Sequence, residues 1–185
     1  MLCAKPVVGD EPFAVMLPDD LIWNAGPGAL SQMADHAEET GAGVIAVQDV
    51  PRERTSSYGI VATDGFQERH GAIRGMVEKP KPEDAPSTLG VVGRYVLQPG
   101  IFDALENTGR GSGGEIQLTD AIAAMIADGN RHDAYRFQGT RFDCGTHIGL
   151  IEATIRFALD HEKLSEPARA SMQKALDELA VAERD

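Results

Sequence analysis

Apolar and polar positions fall into blocks along the chain. Residues 13–17, FAVML, form an apolar run that breaks at Pro18, Asp19 and Asp20 and turns apolar again at Leu21. The run predicts a short buried strand. Leu30, Met33, Ala34 and Ala37 then recur at helical spacing ahead of Gly41, which predicts a helix that stops at that glycine. A second buried strand is expected over 43–50, and the strand–helix–strand order predicts a βαβ unit with a parallel pairing. Two strand-like runs around Asp64 and Gly65 predict an antiparallel hairpin laid beside the sheet. A proline-rich loop leads to a buried strand over 89–97 and a helix from Pro99 to about Glu106. The glycine-rich stretch 108–114 reads as a loop, 115–129 as an apolar-faced helix, 134–139 as a strand and 140–146 as a turn. Thr146 is placed to cap a long helix with Leu150, Ile151, Ile155, Ala158 and Leu159 on its apolar face. The tail from Ser165 reads as a charged amphipathic helix. This succession predicts an α/β fold.

The 185 residues, 42% of them apolar, suffice for one domain or for a piece of a larger one. A formal charge of −12, with no basic patch interleaved with aromatics, argues against nucleic acid and against an anionic membrane surface as partners. Cys3 and Cys144 are too few for a disulfide framework, which points to a reducing, cytoplasmic setting. No apolar run reaches the roughly 18 residues that a bilayer span needs.

Four stretches carry candidate chemistry. Asp19 and Asp20 follow a strand end, where loops of an open α/β sheet converge on ligands, and carboxylates there suit Mg²⁺ beside phosphate oxygens. A solvated turn after Pro18 is the plainer alternative. Asp143 in RFDCGTH also follows a strand-like run; Zn²⁺ held by Asp143, Cys144 and His147 would lack its remaining ligands. Glu78 and Lys79 close another strand. They offer an acceptor for sugar hydroxyls next to a cation for a phosphate, against the plainer reading of an exposed ion pair. GRGSGG lacks the Gly-Lys-Ser/Thr ending of a phosphate loop and reads as a flexible connection.

In order and spacing, LPDDLI, YGIV, GMVEKPKPEDAPST, VVGRYVL, GGEIQLTDAI and RFDCGTHIG resemble the bacterial UTP–glucose-1-phosphate uridylyltransferases across nearly the whole chain. The resemblance implies a Rossmann-like mixed sheet of the nucleotide-diphospho-sugar transferase type. It also implies the conversion of UTP and glucose 1-phosphate into UDP-glucose and pyrophosphate, with Mg²⁺ as cofactor. By motif, Asp19 and Asp143 correspond to the metal carboxylates and Asp20 is secondary. Gly59 corresponds to a backbone contact to glucose, Glu78 to the acceptor for its hydroxyls, and Lys79 to the cation on the sugar phosphate. Lys79, Asp19 and Asp143 are thus the expected catalytic set. A homo-oligomer is expected as well, with 165–182 as a packing or dimerisation helix.

The family opens with a glycine-rich G-x-G-T-R-type loop and a nearby lysine that cradle the triphosphate, and this sequence has neither. The expectation is therefore one partial, N-terminally truncated domain over residues 1–185, inactive when isolated. Thr88 stands where asparagine is common, and His147 where lysine is frequent. A non-catalytic sugar-phosphate-binding or oligomerisation module, and a related sugar nucleotidyltransferase, are the alternative readings.

Overall fold

A computed structural model describes residues 1–111 and 114–182. The chain divides into two compact units, Met1–Leu17 with Gly26–Gln138 and Pro18–Ala25 with Gly139–Asp185.

The first unit is built on a six-stranded mixed sheet. Its strands are β1 (Phe13–Met16), β3 (Gly43–Asp49), β4 (Gly59–Thr63), β5 (His70–Glu78), β6 (Leu89–Leu97) and β7 (His132–Tyr135). They lie in the order β1-β6-β3-β7-β5-β4. The label β2 belongs to Asp20–Trp23 in the second unit. The helices of the first unit are the short α1 (Lys5–Val8), α2 (Ala29–Thr40), α3 (Ile101–Asn107) and α4 (Leu118–Ala127).

Successive side chains of a strand face opposite ways, so the central strands feed two helical layers. Ile45, Val47, Tyr95, Leu97 and Ala134 join Ile101, Phe102, Leu105, Ala121, Ile122 and Met125 of α3 and α4 in the main core. On α2, Ala29, Met33, His36 and Ala37 are buried, and the helix packs on β3 and β6. Gly41 ends α2 in the left-handed conformation at φ 68°, where its N–H donates to the Ala37 carbonyl at 2.8 Å. Under α2, burial pushes the Asp133 carboxyl up, but hydrogen bonds from Arg131 and His36 outweigh that and hold it below its usual range.

The expected βαβ pairing is not formed as a neighbouring pair. β6 lies between β1 and β3, antiparallel to both, and the parallel pairing is β3 with β7. β1 is an edge strand with alternating half-buried and exposed positions rather than a buried one. The hairpin around Asp64 and Gly65 forms as β4 and β5 and closes the other side of the sheet. The helix expected over 115–129 starts later, at Leu118. In the glycine-rich loop, residues 112 and 113 lie outside the described residues.

The second unit contains β2, β8 (Thr140–Asp143), α5 (His147–Asp160) and α6 (Ser165–Ala182). The stretch expected to be a turn at 140–146 is in its first half a strand, because Thr140–Asp143 pairs antiparallel with Asp20–Trp23. Each partner is too short for its own periodicity to show. Thr146 caps α5 as expected, its Oγ1 accepting from the Gly149 N–H at 3.1 Å. Leu150, Ile151 and Ile155 of the expected apolar face are exposed, whereas Gly149 and Ala153 are buried. Among the described residues, no helix is long and apolar enough to cross a membrane.

Candidate functional site

The first group of candidate residues sits where β4 begins and β5 ends. Gly59 lies directly opposite Glu78 in the antiparallel register. A Cβ at position 59 would come within 3.2 Å of both Glu78 Oε2 and Thr119 Oγ1, so glycine keeps this notch open. Thr119, in the first turn of α4, donates its hydroxyl to Glu78 Oε2 at 2.7 Å. The other carboxylate oxygen, Oε1, lies 3.6 Å from Lys79 Nζ. The Glu78 side chain is 16% exposed and that of Lys79 is 58% exposed. One carboxylate is therefore held in place, while the cation beside it reaches into solvent.

Lys79 leaves the strand through a left-handed turn with φ 45°, and its N–H donates to the Tyr58 carbonyl at 3.0 Å. A non-glycine residue pays roughly 1–3 kcal/mol for such a conformation. Without a ligand, the exposed pair with Glu78 adds little to stability. Chemically, the notch offers a fixed acceptor for hydroxyl groups and an exposed cation for an anionic group one residue away.

The second group belongs to the β2–β8 ribbon. Asp20 faces Asp143 across the ladder, and Arg141, two residues before Asp143, shares its side of the strand. Asp20 is 6% exposed, and its carboxylate accepts a hydrogen bond from Arg141 Nε. Arg141 Nη2 also lies 3.9 Å from Asp143 Oδ2. Asp19 precedes the strand and is exposed. Its carbonyl accepts from the Cys144 N–H at 2.7 Å, which ties the start of β2 to the turn after β8.

The same turn carries Asp143 Oδ1, which accepts from the Gly145 N–H at 3.2 Å. A Cβ built on Gly145 would lie 3.1 Å from Asp143 Oδ1 and 3.8 Å from Asp19 Oδ2, which caps the separation of the two oxygens at about 7 Å. Carboxylate oxygens are the donors that a hard cation takes, and Asp19 and Asp143 stand on one side of a glycine that leaves the space between them free. Asp20 does not join them, because it is committed to Arg141. Cys144 turns its Sγ toward the Phe142 and Gly149 carbonyls at 3.8 and 4.0 Å, so it does not complete a Zn²⁺ set with Asp143.

Two participants were not singled out from the sequence. Thr119 is 41 residues from its partner Glu78, and no local pattern links them. Arg141 does carry a signal, since Arg-x-Asp in a strand puts both side chains on one face, but the local sequence predicts a turn there.

The nucleotidyl transferase profile matches residues 1–158. The chain belongs to the nucleotidyl transferase family. The UTP–glucose-1-phosphate uridylyltransferase of Pseudomonas aeruginosa is 48% identical over 155 residues, which cover 83% of this chain and 55% of that protein. The enzyme of the same name from Haemophilus influenzae is 46% identical, over 89% of this chain and 58% of its own length. A crystal structure of UDP-glucose pyrophosphorylase complexed with UDP-glucose matches with a TM-score of 0.81 at 40% identity, covering 86% of this chain and 61% of that one. A UTP-bound enzyme from Acinetobacter baumannii matches with a TM-score of 0.80 at 43% identity, over 93% of this chain and 59% of its own. The chain thus spans little more than half the length of the curated relatives it matches.

Proposed function

We propose that this family member carries the sugar-phosphate and metal-binding parts of a uridylyltransferase that forms UDP-glucose and pyrophosphate from UTP and glucose 1-phosphate. The observation that carries the reading is the Gly59–Glu78–Lys79 corner, where a mostly buried acceptor and an exposed cation adjoin beside a glycine whose missing side chain leaves a notch.

In this reading the glucose ring lies against Gly59, Glu78 accepts hydrogen bonds from its hydroxyls, and Lys79 pairs with its phosphate. A phosphate oxygen of the sugar attacks the α-phosphorus of UTP, forming the new P–O bond. The bond from the α-phosphorus to the bridging oxygen breaks, and its electron pair leaves with pyrophosphate. No covalent enzyme intermediate is required. Positioning and charge neutralisation supply most of the acceleration in such transfers. Asp19 and Asp143 are the residues that would hold Mg²⁺, which when bound offsets charge on the phosphates. Arg141, anchored on Asp20, steadies the Asp143 carboxylate. Association with a second copy through the exposed Leu176 and Leu179 of α6 belongs to the same proposal, and light scattering in solution tests it.

The main test joins the chain to the glycine-rich opening segment of the P. aeruginosa relative and measures pyrophosphate release from UTP and glucose 1-phosphate with Mg²⁺. Turnover by the fusion, absent from the chain alone, is the expected result. A folded fusion that binds neither substrate would overturn the assignment. Glucose 1-phosphate binding without turnover in the fusion would favour the non-catalytic module.

A further inference from the structure

The sheet face under α2 holds a polar group that the proposed reaction does not use. The β5–β7 register sets His70 opposite Tyr135 and Ala72 opposite Asp133, so His70 and Asp133 emerge on one face two residues apart along the ladder. His36 reaches the same place from α2, with Nε2 at 2.9 Å from Asp133 Oδ2. The imidazoles of His36 and His70 lie with ring centroids 4.4 Å apart. One ligand atom from each of His36, His70 and Asp133 falls within 4.8 Å of the others. His36 and Asp133 are buried and His70 is half-buried.

We propose that His36, His70 and Asp133 bind a divalent transition-metal ion of the zinc type, a second cation site in addition to the Asp19–Asp143 pair. The donor set decides the class of ion. Two imidazole nitrogens and one carboxylate oxygen suit Zn²⁺ or Co²⁺, whereas Mg²⁺ takes oxygen ligands. Bond lengths of about 2.0–2.2 Å put tetrahedral ligands about 3.3–3.6 Å apart, so His36 Nε2 and Asp133 Oδ2 must part slightly from 2.9 Å while His70 draws in from a separation of up to 4.8 Å. Rotation of the half-buried His70 can supply that closure, and its solvent side leaves a fourth position for water.

Asp133 is an acceptor only, so His36 Nε2 carries the hydrogen in the metal-free protein. On binding, the ion takes the Nε2 position and that hydrogen shifts through solvent to Nδ1, so the imidazole binds as the neutral tautomer. The carboxylate is already oriented from outside the cluster. Arg131 donates from Nε to Oδ1 at 3.2 Å and from Nη2 to Oδ2 at 2.8 Å, the kind of outer contact that fixes a ligating carboxylate. The guanidinium charge lowers affinity for a cation but keeps Asp133 ionised and pointed at the histidines.

The experiment titrates the chain with Co²⁺, follows the visible absorption of a tetrahedral centre, and then displaces the ion with Zn²⁺. One equivalent bound, with affinity at least roughly 100-fold weaker in His70→Ala and in His36→Gln and unchanged in Asp19→Asn, is the expected result. Circular dichroism checks that the variants fold. If a histidine variant does not fold, zinc-edge X-ray absorption on the unaltered chain decides the matter by counting two imidazoles in the first shell. Absence of stoichiometric Co²⁺ and Zn²⁺ binding, full binding by a folded His70→Ala variant, or an edge spectrum without imidazoles overturns the proposal and leaves His36, His70 and Asp133 as a buried hydrogen-bond network.

Discussion

The corner at the end of β5 and the ribbon of β2 and β8 both hold carboxylates at a defined place, by different means. Glu78 belongs to a six-stranded sheet and is fixed from the side by a helix hydroxyl, so its position is supported by the main core. Asp143 ends one strand of a two-stranded ribbon, where its carboxylate accepts from the Gly145 N–H and lies near one arginine, and Asp19 precedes the other strand, tied by its backbone carbonyl to the Cys144 N–H. Two-stranded ribbons are marginal by themselves. The first arrangement suits recognition of a shape, where an acceptor must not move. The second suits a cation, whose own bonds complete the geometry.

The sharpest break between the two comes from Asp143→Asn in the active fusion. If Asp143 holds the metal as proposed, its loss lowers kcat/KM by roughly 10³-fold, several kcal/mol of transition-state stabilisation, while glucose 1-phosphate binding measured without Mg²⁺ stays unchanged. Equal loss of both would merge the two corners into one function.

Arg141→Met comes next. It removes the Arg141 guanidinium from the buried Asp20, and loss of such a hydrogen bond to a charged group costs about 1.5–3 kcal/mol. The lone tryptophan, Trp23, lies in β2 with the Arg156 guanidinium 3.4 Å from its ring centroid, so its fluorescence in a urea series reports this unit. An unaltered midpoint would mean that Arg141 serves the phosphates rather than the ribbon.

Lys79→Ala in the fusion should weaken glucose 1-phosphate binding by about 1.5–3 kcal/mol, and the loss should shrink as salt rises. Glu78→Gln should act mainly on the choice between glucose 1-phosphate and an epimer, with less dependence on salt. If neither variant differs from the parent at two ionic strengths, the corner is a surface ion pair. The smallest effect belongs to Thr119→Val, which frees the Glu78 carboxylate. A rise in KM for glucose 1-phosphate of roughly fivefold, about 1 kcal/mol, is expected with kcat little changed.

The elements with strong periodicity were legible in the sequence. Ala29–Thr40 shows its helix by Met33 and Ala37, and Leu89–Leu97 shows its strand because every position but Val91 is buried. The candidate carboxylates were legible because Asp19 and Asp143 end apolar runs, and the grouping of Glu78 with Lys79 because they are adjacent. Long-range facts were not. The insertion of β6 between β1 and β3 depends on a strand some forty residues further on, which no local window registers. The ribbon was missed because Asp20–Trp23 and Thr140–Asp143 are strands only in each other's presence. Thr119 was missed for the same reason: its value lies in a partner 41 residues away. For α5, the helix forms as the sequence predicts and much of its apolar stripe is exposed, since such a stripe says that a face is sticky and not that this chain covers it.

The left-handed backbone at Lys79 bears on how freely this corner can change over generations. Glycine at position 79 would relieve the conformation and lower the chain's energy, so drift toward greater thermal tolerance pulls the position away from lysine. If the cation is what engages the phosphate, the same replacement removes it. Robustness and ligand capture then compete at a single codon. Variants selected only for heat resistance are expected to accumulate changes here, whereas variants selected under demand for substrate should keep the strained lysine and regain stability elsewhere.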